Sequence, residues 1–468
     1  MFGLQIRYLS FFFGLISVLS FFNIIYSYYF NLYLNLDTYY LSFVLSLIIA
    51  ITFYRANFTS KKSSIFQKIL TVFLGYILIP LVLSIPFYLS IYNLTFLNSF
   101  FEAVSGFTST GFTIFENIKH IDQSLILWRS TTQWIGGLYF LFSIIFLIDI
   151  YDENFKKTLT NFFSFNSSEI LKQVIKVFLI YSGITLSIFI ILNLFSIRTF
   201  DSLNLAFSLI SSGGFLPTNN LSSIIKDDTQ ILVLSFLMLI SFFSIFFSYN
   251  LFSFKKKNIN FLYEDLNLII YFVIIVLIFF LFFSYNKNFL NSLLAITSSM
   301  SNIGFGLNNT DESLTFVYLI LVIIGGSFFS TSSGLRFIKI YSLFQYSINQ
   351  ILSFSRPKNI FMNKLIFSKI NFDFNEISKY FLSVLIFVLS LFILTTLLSI
   401  NDLNFEDSFK LSILTLMNTV NSSIYGLNEL SFYNLSFFTK FCLIFFMIVG
   451  RIELLTILLL IKKFLFKN

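Results

Sequence analysis

Four short segments carry the residues whose types and spacing suggest chemistry. Ser105–Phe112 reads SGFTSTGF, Ser208–Phe215 reads SLISSGGF, Ser298–Phe305 reads SSMSNIGF and Leu416–Gly426 reads LMNTVNSSIYG. Each follows an acidic or amide residue joined to Ser, namely Asn98-Ser99, Asp201-Ser202, Asn291-Ser292 and Asp407-Ser408. In the first three, the last Gly stands twelve residues after that Ser, which makes Gly111, Gly214 and Gly304 equivalent. Thr108, Ser109, Thr110 and Gly111, with Ser211, Ser212, Gly213 and Gly214, Ser301, Asn302, Ile303 and Gly304, and Asn418, Thr419, Val420 and Asn421, are the candidate ion-binding residues. Rings of their backbone carbonyls can replace a cation's hydration shell, and Gly supplies backbone angles that other residues avoid.

The elements that must position them follow from spacing. Asn, Asp and Ser are N-cap residues, so each unit is expected to start a helix there. The ten or so residues before each Gly segment make roughly 15 Å of helix, half a hydrocarbon core. Each unit is then a re-entrant half-helix, and non-helical backbone at that depth must line a cavity or be buried in protein. The half-helix C-termini, partly negative, point at a common axis and favour a cation. The fourth unit lacks its Gly. Counting twelve from Ser408 selects Val420, aligning Thr419-Val420 with Thr-Val-Gly selects Asn421, and aligning from Gly426-Leu427 selects Ser422. Asn421 is favoured, because Asn tolerates positive φ and β-branched Val does not.

The whole chain agrees with a membrane setting. Its 468 residues are 57% hydrophobic and 11% charged, with 70 Phe, 24 Tyr and a mean hydropathy of +0.86, which excludes soluble and disordered classes. Apolar runs near 8–31, 38–54, 69–93, 125–150, 173–196, 229–252, 265–285, 314–342, 378–400 and 437–461 give ten expected helical spans. The first runs on from Arg7 without a small-residue cleavage site and reads as an uncleaved helix. With Met1 cytoplasmic, 22 Lys and Arg fall inside and seven outside (Lys119, Arg129, Arg198, Lys226, Lys287, Lys410 and Lys440), leaving Arg451 within a span. That asymmetry puts both termini in the cytoplasm and accounts for the +8 charge without nucleic acid. Cys442 is the single Cys, so there is no disulfide within the chain.

The expected fold is an all-α polytopic membrane protein of four span–re-entrant pore helix–span repeats with pseudo-fourfold symmetry around one central pore, plus two N-terminal transmembrane helices. The boundaries are 1–60 for the N-terminal pair, then 61–157, 158–258, 259–345 and 346–468 for the repeats. Gly325, Gly326, Ser327, Ser330, Thr331, Ser332, Ser333 and Gly334 interrupt the helix of the third repeat, and such a break can unwind into a loop lining the pore. Arg451 is an ionisable group inside the membrane, hence a functional candidate, unless it merely pairs with Glu453 or a loop carbonyl. Glu102 either makes the pore mouth negative or hydrogen-bonds a neighbouring loop backbone. His120 reads as a solvated loop residue, Trp128 as an interface aromatic and Trp134 as packing. A membrane transferase would need carboxylates or a His/Arg constellation, and Asp201, Asp227, Asp228, Asp311, Glu312, Asp402, Glu406 and Asp407 read mostly as caps and loop tips.

Several of these motifs resemble the Trk/Ktr/HKT superfamily of K⁺ transporters over residues 69–468. SGFTSTGF followed by LWRSTTQWIGGLYF (Leu127–Phe140) resembles its first pore loop and following helix, IGGSFFSTSSGLRFIK (Ile324–Lys339) its interrupted third-repeat helix, and VGRIELLTI (Val449–Ile457) its last helix. The two helices before residue 60 are similar to the extra pair of the Trk branch. The resemblance implies a single-chain K⁺ uptake subunit in the inner membrane, acting as a homodimer with lipid around it and a cytosolic ring of nucleotide-binding regulatory subunits. This chain has no nucleotide-binding motif of its own. It also implies that 325–334 is an intramembrane gate, stiffened here where glycines are replaced, and that Arg451 forms part of the barrier to cations. A side chain at a filter Gly is associated in the superfamily with Na⁺ permeation, so Na⁺ is the alternative permeant ion.

Overall fold

The computed structural model describes residues 6–55, 64–147, 170–253, 262–283, 289–307, 314–355, 374–401, 403–427 and 430–452. Helices α1 (Ile6–Tyr29) and α2 (Leu36–Arg55) form an antiparallel pair. The first repeat is α3 (Ile65–Leu83), the short α4 (Ile85–Tyr88), the half-helix α5 (Phe96–Phe107) and α6 (Gln123–Phe146). The second is α7 (Ile170–Leu194), half-helix α8 (Thr199–Ser211), α9 (Asp228–Phe242) and α10 (Ile245–Ser253). The third is α11 (Leu262–Phe283), half-helix α12 (Phe289–Met300), α13 (Thr315–Ile323) and α14 (Phe337–Ser355). The fourth is α15 (Phe374–Asn401), half-helix α16 (Phe405–Leu416) and α17 (Phe437–Ile452). Each expected span contains a helix, and the chain is an all-α polytopic membrane protein with four re-entrant repeats.

The repeats close into a ring. The second span of each packs on the half-helix of the next, α6 on α8, α9 on α12 and α13 on α16, and α17 returns to α5. Among the described residues, six helices are long and apolar enough to cross a membrane alone, including α1, α2, α7, α11 and α15. Their outer faces carry exposed Leu186, Ile274, Phe282 and Phe392, as a lipid-facing surface requires. The polar residues lie inside: Ser99, Glu102, Thr132, Gln133, Ser208 and Asn204 are wholly buried where α5, α6 and α8 meet.

Local detail corrects the sequence reading of how the half-helices begin. Their N-caps are Thr95, Arg198 and Asn404, three residues before the expected Asn98, Asp201 and Asp407. The Ser of each pair sits in the first turn and donates back to a carbonyl, Ser99 Oγ to Thr95 O at 3.1 Å, Ser202 Oγ to Ile197 O at 3.1 Å and Ser408 Oγ to Leu403 O at 3.4 Å. The half-helices are therefore 12 or 13 residues long, about 18 Å.

Two spans are broken. The third-repeat interruption was expected, and it runs from a two-residue parallel bridge pairing Ile324 with Leu335 and Gly325 with Arg336. The break between α9 and α10 was not, because 229–252 contains neither Pro nor Gly. There Phe243 is extended, with φ −79° and ψ 163°, and the freed donors Ser244 N and Ile245 N go to Asp265 Oδ1 (2.9 Å) and Phe329 O (3.1 Å). Tertiary partners from the third repeat make this break. Trp128 is also inside the protein, its Nε1 donating to Leu83 O at 3.1 Å, and is no interface aromatic.

Close approach at glycines sets where the half-helices end. A Cβ on Gly136 would overlap the carbonyl of Phe107, and one on Gly450 would overlap that of Leu416, the last residues of α5 and α16. Gly136→Val is expected to cost about 3 kcal/mol or more by overpacking against backbone. Thermal unfolding of the purified protein in detergent measures this, and Gly14→Ala, at a site with open space around it, should leave the midpoint unchanged.

Candidate functional site

The four half-helices end in the same turn. Ser109, Ser212, Asn302 and Asn418 are all left-handed, with φ of 59°, 57°, 59° and 47°. The residue after each donates its N–H to a carbonyl five residues back: Thr110 to Ser105 at 2.9 Å, Gly213 to Ser208 at 2.7 Å, Ile303 to Ser298 at 3.1 Å and Thr419 to Leu414 at 2.9 Å. The next position is Gly111, Gly214, Gly304 and Val420. Count and geometry agree on Val420, and the preference for Asn421 is corrected. That preference assumed positive φ at the Gly position, which holds for Gly111 (84°) and Gly304 (85°) but not for Gly214 or Val420. The left-handed residue needed in every repeat lies two positions earlier, where Asn418 stands.

Side chains of these turns join the loops in a circle. Ser212 Oγ donates to Ser301 O at 2.5 Å, Asn302 Nδ2 to Thr419 Oγ1 at 3.3 Å, and Asn418 Nδ2 to Thr110 Oγ1 at 3.0 Å. These link loop two to three, three to four and four to one. The remaining junction, one to two, is bridged by Arg451, whose Nη2 donates to Ser109 Oγ at 3.3 Å and Ser211 O at 3.4 Å. Loops one and two are also tethered internally, Ser105 Oγ to Phe112 O at 2.6 Å and Ser208 Oγ to Phe215 O at 2.7 Å.

Gly111, Gly214, Gly304 and Val420 line the inner end of a cavity of about 450 Å³ on the face from which the half-helices enter. Repeats two and four face each other across the ring, and Val420 fills the space a Cβ on Gly214 would take. Asn421 lines the cavity beyond the ring. Glu102 does not make the cavity mouth negative. It accepts Ile114 N at 2.9 Å, Thr113 Oγ1 at 3.0 Å and Arg129 Nε at 2.8 Å, with both ionic side chains buried. Arg129 also donates to Thr113 Oγ1 (2.9 Å) and Leu216 O (3.4 Å) and stacks on the Phe215 ring at 4.2 Å. It therefore ties together the strands that leave loops one and two. Arg129 was counted as an outside charge, and sequence gave no sign of its pairing with Glu102, 27 residues away.

Behind the ring lies the interrupted segment. Gly326 N donates to Ser332 Oγ (3.0 Å), Ser330 Oγ to Ser327 O (2.7 Å), and Thr331 Oγ1 to Ile210 O (2.7 Å), just before loop two. Gly334 has φ of 80°, and the bridge pairs Gly325 with Arg336. Arg336 Nη1 holds Ser327 O, Ser330 Oγ and Ser332 O at 3.0–3.1 Å. Ser333 Oγ accepts from Arg451. Arg451 is thus buried between this segment and the ring, and its guanidinium stacks on Phe140 at 4.0 Å, a ring that also carries Arg336 at 5.1 Å. The alternative pairing with Glu453 falls outside the described residues. Sequence reading did not single out Arg336, Phe140 or the acids Glu264, which holds the segment from behind, and Asp265, which holds the break between α9 and α10. His120 is exposed in its loop.

A ring of four half-helix turns, with a cavity on one side and a buried guanidinium on the other, defines a single-chain pore-loop transport protein. Comparison with known proteins is consistent with this. The TrkH family profile, described as a cation transport protein, matches residues 266–467. An uncharacterized cation transporter of Methanocaldococcus jannaschii (MJ1485) is 21% identical, covering 84% of this chain and 82% of its own length. The Trk system potassium uptake protein TrkG of Escherichia coli is 22% identical over 88% of this chain and 89% of its own. The crystal structure of the potassium transporter TrkH from Vibrio parahaemolyticus superposes with a TM-score of 0.81 at 20% identity, covering 98% of each chain. Residues 266–467 thus match the TrkH cation transport model, and the chain as a whole is similar to Trk potassium uptake proteins and shares the fold of one.

The Glu102–Arg129 pair yields a stability prediction. Arg129→Met leaves a buried carboxylate facing Thr113 and Ile114 alone and should cost about 3–5 kcal/mol, whereas adding Glu102→Gln should recover a good part of it. Thermal unfolding of the two variants in detergent checks this.

Proposed function

We propose that this chain is the K⁺ uptake subunit of a Trk-type system in the inner membrane, conducting K⁺ through a selectivity filter made by its four loops. The observation that carries the reading is the common register of the four loop ends, in which Thr108–Gly111, Ser211–Gly214, Ser301–Gly304 and Met417–Val420 correspond around one ring. Half-helix C-termini bring partial negative charge there, and carbonyls in such rings replace the hydration shell of a cation. Segment 325–334 is the intramembrane gate in this reading. Arg451 adds a positive charge on the conduction path, a barrier to cations while the gate is shut.

The Lys and Arg distribution supports cytoplasmic termini, with repeats spanning 61–157, 158–258, 259–345 and 346–468. The Trk system naming of the relatives supports association with partner proteins. Those partners are a second copy of this chain and a cytosolic ring of nucleotide-binding subunits. A nucleotide acts through that ring.

A second reading, permeation of Na⁺ beside K⁺, is favoured by Val420. One corner of the filter carries an isopropyl group where the others have hydrogen, and a ring of altered width discriminates differently between the two ions.

The test is tracer Rb⁺ uptake into liposomes holding the purified protein and internal K⁺. Uptake blocked by external K⁺ and not by Na⁺, Li⁺ or Cs⁺ is the expected result, and equal competition by Na⁺ favours the second reading. Val420→Gly is expected to raise Rb⁺ flux several-fold by clearing the space before Gly214, and under the second reading it should also restore preference for K⁺ over Na⁺.

A further inference from the structure

Glu264 and Asp265 open α11, an otherwise apolar helix, and neither belongs to the conduction path described above. Glu264 Oε1 accepts Phe328 N at 3.0 Å and Oε2 accepts Ser327 Oγ at 3.2 Å. Asp265, 1% exposed, accepts Ser244 N at 2.9 Å on Oδ1 and Ser244 Oγ at 2.6 Å on Oδ2. Successive residues of a helix point about 100° apart, so neighbouring carboxylates reach two different segments. One is the interrupted segment of the third repeat, the other the break between α9 and α10 in the second.

The two held segments are also joined directly. Ser327 N donates to Phe242 O at 3.0 Å, Ser332 N to Ser241 O at 3.0 Å and Ile245 N to Phe329 O at 3.1 Å. Carbonyls freed at the end of α9 thus accept from the loop, and the carboxylates accept the donors left over. A carboxylate in low dielectric loses most when its donors leave, since nothing but protein can replace them there. The Glu264 contacts are consequently present only while the segment lies against the start of α11, which Asp265 in turn fixes to the break. Glu264 also follows Lys255–Lys257 by only seven residues in the sequence, on the face that the proposed topology gives to the cytosolic partner.

We propose that Glu264 and Asp265 form a latch, two positioning residues that hold the interrupted segment across the passage by clamping it to the broken helix of the preceding repeat. The latch rests on the reading of 325–334 as a gate. Opening requires release of these hydrogen bonds, and displacement of the start of α11 releases them together.

The test uses the full chain in liposomes without any partner, with two readouts. One is tracer Rb⁺ flux, and the other is the rate at which a thiol reagent modifies Ser330→Cys in a Cys442→Ser background. Glu264→Ala is expected to raise both by roughly tenfold, the equivalent of one buried hydrogen bond. Glu264→Gln should raise them less, because its amide oxygen still accepts from Phe328 N. Should the alanine variant not fold, Ser327→Ala removes a donor from the other side and is expected to raise the modification rate in the same direction. Deletion of residues 328–333 tests the gate itself. If the deletion raises flux while the Glu264 and Ser327 variants change neither readout, the latch is wrong and the gate stands. If the deletion leaves flux unchanged, gate and latch fall together.

Discussion

Everything in this structure depends on ending four helices in the middle of a membrane protein without stranding their backbone. A half-helix that stops at that depth exposes carbonyls and amides to a region with no water, and each unsatisfied group costs several kcal/mol. The chain meets this with a left-handed residue at the end of each half-helix, Ser109, Ser212, Asn302 and Asn418. The turn they make folds the next N–H back onto the helix end. At Ser212, Asn302 and Asn418 it also sends a short polar side chain sideways to the neighbouring loop. Ser and Asn suit this because they tolerate the conformation and carry a hydrogen-bonding group at short reach.

The circle of loop-to-loop bonds is unequal in a way that matters. Three junctions are made by the turns themselves, and the fourth borrows Arg451. The same guanidinium reaches Ser333 in the interrupted segment and lies on Phe140. Its cost of burial is offset by oxygen acceptors and a ring face, much as Arg129 on the opposite side of the ring is held by Glu102 and Phe215. Two buried arginines thus bracket the loop ring, one fixing the strands that leave it and the other joining it to the segment behind.

Most of the architecture was legible because the bilayer imposes lengths. Twenty apolar residues make a span, ten make half of one, and a spacing of twelve from Ser to Gly repeated three times marks equivalent loops. What was not legible depended on partners far apart in sequence. No residue within 229–252 announces a break at Phe243, because the atoms that open it belong to Asp265 and Phe329. Arg129 looked like an outside charge because Glu102 lies a half-helix away. The misplaced fourth register has a more instructive cause. Asn421 was preferred on the premise that the ring position needs positive φ, yet Gly214 meets the same position without it, and in that conformation a β-branched residue carries no penalty.

Val420 shows what a single chain permits. In a pore assembled from four identical subunits, one codon changes all four corners, and an isopropyl group at this level would be repeated fourfold in a space that already brings Val420 against Gly214. Here each corner is encoded separately. One position can drift while the other three hold the ring's geometry, so the tolerance of the loop ring to change is set corner by corner, and symmetry of the fold no longer obliges symmetry of the sequence.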